Sequence, residues 1–387
     1  MNIRKLWPLL AFIAVFWTAS SAYAASDDSR YLIKSGAQFW KKSLTVRHVF
    51  ENGFTADLSD WQLRLTKIFG VDIEPVKKLN ILDDVFALKD QTANQTPTEN
   101  VPWGVKVIYG DSMLKKTSGG DEVNVAILDT GIIKHSDLAA NIKGCKDFST
   151  AKPMVDGKCD DKNGHGTHIA GIVAANGGSG GEGIWGVAPG ASILAFKACS
   201  NLGTCWADDV AVAIRTAVDD GANVINISLG SDIGSSLVAE AIGYAVSKDV
   251  LVIAASGNDG PYPGSIDYPA GDTSVIAVGA IDFDMSIPEW AARGLNDETK
   301  LFVKNAKDID FVAPGLNIES TWKDGGYVIL SGTSMSAPHI AGLAAKLWQK
   351  DAKNPAEATK ALLIKFSQDI LPLGDDDASG WGLPKIK

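Results

Sequence analysis

The chain has 387 residues, 45% of them hydrophobic and 21% charged, and a formal net charge of −10. This length leaves room for two folded units, and the composition excludes wholesale disorder. The acidic balance argues against sequence-independent nucleic-acid binding, which needs a basic face, and the 4 cysteines are too few for a disulfide scaffold.

Residues 1–24 read as a secretory signal. Arg4 and Lys5 precede an apolar run from Leu6 to Ala19, and Ala22-Tyr23-Ala24 offers small residues at the positions a signal peptidase reads. The run is shorter than the ~20 apolar residues of a membrane span. Cleavage near Ala24, no stable membrane insertion and a secreted protein, extracellular or periplasmic, are therefore expected. Residues 25–98 balance their charges and end in the uncharged polar stretch from Gln91 to Thr98, which reads as an exposed linker. Within them, Arg30–Phe39 and Val85–Leu88 read as strands and Leu58–Phe69 as a helix, together a small α/β unit.

Residues 99–387 carry the acidic excess and a different pattern. Short apolar runs at Val123–Leu128, Ser192–Ala198, Asn223–Leu229, Val250–Ala255 and Ser274–Ile281 are separated by helical stretches such as Asp208–Asp219 and Ser236–Ser247. This alternation predicts an α/β fold, a mostly parallel central sheet with helices on both faces. Active residues in such folds collect at the carboxyl ends of the strands.

Three passages stand at such places. Val125-Ala126-Ile127-Leu128-Asp129-Thr130-Gly131 ends a buried strand on a carboxylate. Asn163-Gly164-His165-Gly166-Thr167-His168 opens an apolar helix with a glycine-flanked histidine. Ser331-Gly332-Thr333-Ser334-Met335-Ser336-Ala337-Pro338-His339 opens another helix with a serine hydroxyl near unpaired amides. Singly each is weak, because a strand-end Asp is usually a turn former and a helix-opening Ser usually a cap. Together, in the order Asp, His, Ser, they match one of the convergent triads. A fourth passage, Ala254-Ala255-Ser256-Gly257-Asn258, ends a strand on a side-chain amide able to donate to developing negative charge.

These passages, with Gly186-Val187-Ala188-Pro189, Asn226-Ile227-Ser228-Leu229-Gly230 and the terminal Gly380-Trp381-Gly382-Leu383, resemble the subtilisin-like serine proteases, the subtilases, over nearly all of 99–387. Residues 25–98 resemble the family's propeptide through Asn52-Gly53-Phe54-Thr55-Ala56. The resemblance implies a secreted serine endopeptidase made as a zymogen, with Ser334 as nucleophile, His165 as base and acid, Asp129 as its orienter, and Asn258 with the Ser334 N–H as oxyanion hole. His168 and His339 are not carried over as catalytic. The propeptide, 25–98, would act as folding chaperone and inhibitor and be cut between about Asp90 and Glu99, leaving a monomeric catalytic domain, 99–387, that takes protein or peptide substrates.

The resemblance also implies a primary pocket between Ser228-Leu229-Gly230 and Ala255-Ser256-Gly257. Its floor falls on Asp267, with Asp259 at the rim. Either these carboxylates favour a basic residue before the scissile bond, or Asp267 turns to solvent and the pocket is an apolar slot. A structural calcium is implied at Glu99, Asp137 and the loop from Asn176 to Glu182. The cysteines are expected to pair locally, Cys145 with Cys159 and Cys199 with Cys205, with reduced thiols as the alternative. An aspartic protease would need a second Asp-Thr-Gly or Asp-Ser-Gly, which the sequence lacks. A zinc hydrolase would need His-Glu-x-x-His, and an α/β-hydrolase a glycine where Ser336 stands. A subtilase fold kept as an inactive binding or chaperone module is the alternative from another class. An insertion from Asn296 to Asp310 departs from the family and reads as a surface loop.

Overall fold

A computed structural model describes residues 29–82, 93–295, 304–370 and 376–386. The signal sequence at 1–24, the Val85–Leu88 strand and the first part of the Asn296–Asp310 insertion lie outside the described residues. Among those described, no helix is long and apolar enough to cross a membrane. The chain divides into two compact units, one running up to Lys77 with Ala151–Pro153, the other formed by the remainder.

The small unit is an antiparallel sheet in the order Val46–Phe50, Gly53–Asp57, Arg30–Ile33, Ile73–Pro75, with helices Gln38–Ser43 and Asp60–Ile68. The second helix starts on a capping box in which Ser59 and Gln62 satisfy each other's backbone N–H. Ile33, Trp40, Leu44, Phe54, Ala56 and Leu58 form the core. The strand expected over Arg30–Phe39 stops at Ile33. Trp40 is instead buried from a helix, packed in the same core as Ile33.

The large unit holds an eight-stranded sheet in the order Phe311–Pro314, Ile276–Ile281, Leu251–Ala255, Val224–Ile227, Asn124–Asp129, Ser192–Lys197, Ile142–Asp147, Val155–Asp156. Every pair is parallel except the last. All four residues of the central strand Val224–Ile227 are buried, as a strand covered on both faces requires. The helices form two sets. His165–Ala174 packs on Thr333–Lys346, which also lies across the strands from Val224 to Pro314, while Ala207–Asp219 packs on Ser236–Ser247. The expected α/β architecture is therefore present. Asp129 is the last residue of its strand, and Ser228 and Asn258 lie just past two others, so all three collect at the carboxyl edge.

A further strand, Lys78–Ile81, belongs to the large unit although it directly follows the small one in sequence. It lies between two others and pairs antiparallel with both, Leu79 opposite Cys205 and Ile81 opposite Leu229.

Candidate active site

Asp129 and His165 meet through both carboxylate oxygens. His165 Nδ1 lies 2.8 Å from Oδ1 and 2.9 Å from Oδ2, with both side chains buried. A carboxylate only accepts, so Nδ1 carries the proton and Nε2 is left as the basic nitrogen. The helix bearing His165 approaches the Asp129 strand closely. A Cβ on Gly166 would stand 2.2 Å from the Gly131 carbonyl, and one on Gly164, whose φ is +111°, would strike the Trp322 ring at 2.6 Å.

Asp161 holds this approach together and was not apparent in the sequence. Its Oδ1 accepts from the Thr130 hydroxyl and from the Asn163 and Gly164 N–H groups, and its Oδ2 from the Thr167 N–H and hydroxyl, all between 2.7 and 3.0 Å. It therefore caps the His165 helix and ties that helix to the residue after Asp129. Buried Lys197 also escaped notice; its Nζ donates to the Thr130 carbonyl and to Asn201. Burial lowers its pKa, while Asp161, Asp147, Asp129 and Asp160 pull it back up. The only sequence signal for it is a lysine closing the apolar strand Ser192–Lys197.

Ser334 is buried at the start of its helix, which packs against the His165 helix. Its hydroxyl lies 3.0 Å from the carbonyl of Leu82 and 3.1 Å from that of Ser228. The Asn258 amide is set by Thr333, whose N–H and hydroxyl both donate to Asn258 Oδ1 at 3.0 and 2.9 Å. With its oxygen held there, the Asn258 NH2 group is turned the other way. The Thr333 hydroxyl also accepts from the Gly257 N–H, joining the loops that bear Asn258 and Ser334.

The seated strand Lys78–Ile81 delivers Leu82 to Ser334. Ile81 donates to the Gly203 carbonyl, and the Leu82 N–H points at Ser228 O. Leu79 lines an apolar cleft with Ile233, Val238, Ile242 and Tyr268. The groove thus holds an extended peptide whose last described carbonyl meets the Ser334 hydroxyl, a form of strand addition.

The sequence profile of the subtilase family matches residues 120–382. The chain belongs to the subtilase family. It is 40% identical to a subtilisin of Bacillus sp. (strain TA39) over 87% of this chain and 84% of that one. It is 33% identical to the M-protease of Shouchella clausii (strain KSM-K16) over 96% and 94%. Sphericase matches with a TM-score of 0.72 and 39% identity over 75% of this chain and 99% of that structure. The S41 psychrophilic protease matches at 0.71 and 42%, over 76% and 100%. As a subtilase, the protein is a serine endopeptidase acting on protein substrates.

The other two histidines of the subtilase motifs are buried and neutral. His168 Nε2 faces the Ile318 and Val328 carbonyls, each at 3.1 Å, and burial is the main force pulling its pKa down to about 3. Burial likewise lowers His339 to about 4, against a bond from Nδ1 to the Met335 carbonyl. Both cysteine pairs are disulfides, Cys145–Cys159 and Cys199–Cys205. The second closes the turn leading into Thr204–Trp206, one wall of the groove.

In this structure the residues expected to hold calcium make hydrogen bonds within the protein. Glu99 pairs with Lys106. Asp137 accepts from the Ile184 N–H at 2.8 Å, the Tyr327 hydroxyl at 2.8 Å and the Ser136 hydroxyl at 3.0 Å. The carbonyls of Gly177, Gly178, Gly181, Glu182, Gly183 and Ile184 already accept N–H groups of the protein, two of them from the Asn100 amide. A calcium cage needs six or more oxygens turned inward. Each of these carbonyls keeps a second lone pair, and a Cβ on Gly183 would meet the Asp137 carboxylate at 2.3 Å, so only glycine leaves that carboxylate room.

Proposed function

We propose that this subtilase is a secreted zymogen whose catalytic triad is Asp129, His165 and Ser334, and that its first substrate is its own chain at Leu82. The observation that carries this reading is the 3.0 Å approach of the Ser334 hydroxyl to the Leu82 carbonyl, from a strand in register on both sides. Ser334 Oγ adds to the carbonyl carbon of Leu82 while its proton passes to His165 Nε2. Asp129 keeps the imidazole in the receptive tautomer and stabilises it once charged. The oxygen that becomes an anion takes hydrogen bonds from the Asn258 NH2 and the Ser334 N–H. Collapse breaks the bond to Asp83, whose amine receives the proton from His165, and water then releases Leu82 from the acyl-enzyme.

Residues 1–24 are the signal sequence in this reading, and the propeptide extends from residue 25. The cut expected between Asp90 and Glu99 becomes a later trimming of an end first freed at Asp83. The catalytic domain then works as a monomer on extended peptides seated between Thr204–Trp206 and Leu229–Gly230. A long-lived occupant of the groove also makes the propeptide an inhibitor.

A fluorophosphonate reagent tests the nucleophile. The mature protein is expected to carry the label on Ser334, and His165→Ala is expected to label far more slowly. Label on another residue, or equal rates in the two proteins, would refute the assignment.

A further inference from the structure

Pro338 lies inside the helix Thr333–Lys346, four residues after Ser334. A helical carbonyl accepts from the N–H four residues further on. Proline has no N–H, and its ring crowds the carbonyl at that spacing. The carbonyl of Ser334 therefore lacks its helical partner, in a residue that is fully buried. The donor comes from another element. Ser228, just past the strand Val224–Ile227, donates its hydroxyl proton to the Ser334 carbonyl at 3.1 Å. The Ser334 hydroxyl in turn lies 3.1 Å from the Ser228 carbonyl. The two serines bond each other, side chain to backbone, in both directions.

Asn226 completes the arrangement. Its Nδ2 lies 3.0 Å from Ser228 Oγ. A hydroxyl has one proton, and here a carbonyl takes it, so the amide has to present its NH2 group. That orientation has a cost, because among the described residues no donor reaches the buried Asn226 Oδ1. Asn226 is held in register with Ile127 on one side and Ile253 on the other. Those neighbouring strands lead to Asp129 and to Asn258.

We propose that Asn226 and Ser228 form a positioning relay for the nucleophile, in which the Ser228 hydroxyl replaces the N–H that Pro338 lacks and ties the first turn of the Ser334 helix to the central sheet. The inference rests on the assignment of Ser334 as nucleophile. The relay places Ser334 in the same frame as Asp129 and Asn258. Without it the Ser334 carbonyl is a buried acceptor with no donor, and the turn shifts to find one. A small shift of the nucleophile against His165 is enough to slow the reaction severely. The backbone of Ser228, which faces Leu82 in the groove, is untouched by loss of the hydroxyl, so substrate binding and nucleophile positioning can be separated.

The test compares the unaltered precursor with Ser228→Ala, Pro338→Ala and the double variant. Self-processing after refolding is followed by gel. Then kcat and KM of the mature enzymes are measured on a peptide substrate, per site labelled by a fluorophosphonate. Ser228→Ala is expected to slow processing and lower kcat at least about tenfold, with KM changed less than about twofold. Pro338→Ala gives the helix an N–H for the Ser334 carbonyl. In the double variant both rates should therefore return to within about threefold of those of Pro338→Ala alone. A Ser228→Ala precursor that fails to fold should be recovered in the double variant in the same way. A general packing defect at Ser228 would not be mended from Pro338. No recovery in the double variant, or a loss in Ser228→Ala that resides in KM, would overturn the proposal. If the unaltered enzyme is not labelled on Ser334, the assignment of the nucleophile fails instead.

Discussion

Asp129 holds His165 with two oxygens at nearly equal distance, 2.8 and 2.9 Å. Asp129→Asn presents a donor on one side and invites the wrong tautomer, so kcat is expected to fall on the order of 10⁴-fold with KM little changed. Steady-state kinetics on a peptide substrate check this. Thr333 is a positioning residue, since both its N–H and its hydroxyl fix Asn258 Oδ1. Thr333→Ala keeps the N–H, loses the hydroxyl and loosens the amide. A fall of about tenfold in kcat is expected without a matching rise in KM, and Thr333→Ser should restore it. If Thr333→Ser is as impaired as Thr333→Ala, the hydroxyl bond is not what matters.

At the scale of elements, the groove is completed by a strand that the sequence does not advertise. Lys78–Ile81 is four residues long and half polar, and its neighbours Thr204–Trp206 and Leu229–Gly230 are shorter still. None of the three carries a periodic signal, and each exists because the others supply its hydrogen bonds. The long apolar strands of the central sheet are different. Their burial on both faces makes them continuous hydrophobic runs, which is why five of them were legible within two residues of their ends. Asp129, His165, Ser334 and Asn258 stood out as candidates because each ends, follows or opens such an element. Asp161 and Thr333 were not, because their role is to bond backbone and side chains brought together only by folding. Replacing Ile81 by Pro removes the N–H that donates to the Gly203 carbonyl. Self-processing of this variant should slow at least about tenfold, followed by gel after refolding. Peptide hydrolysis by whatever mature enzyme forms should be unchanged, since residue 81 is absent from it.

Across the whole molecule, two neutral buried histidines set a limit in acid. The folded-state pKa values of His168 and His339, about 3 and about 4, lie below that of an unfolded histidine. The unfolded chain therefore binds more protons as pH falls below ~6.5. The stability these groups provide is complete above that pH and is lost progressively toward pH 4 and pH 3, at up to about 1.4 kcal/mol per pH unit for each. Denaturant midpoints of the Ser334→Ala protein, which cannot digest itself, should drop steeply between pH 6.5 and 4.5. A flat profile there would mean that the two imidazoles are not held neutral. The two disulfides close loops with sequence separations of 14 and 6. Each is expected to add only about 2–3 kcal/mol.

The assembly of groove, seated strand and triad makes one claim above the others: Ser334 acts on the carbonyl of Leu82 in its own chain. Intact-mass measurement of freshly refolded precursor tests it most directly. The unaltered protein should yield a fragment ending at Leu82 and a partner beginning at Asp83, whereas the Ser334→Ala precursor should remain one chain. A first cut elsewhere, or a Ser334→Ala precursor that still divides without added protease, would contradict the account.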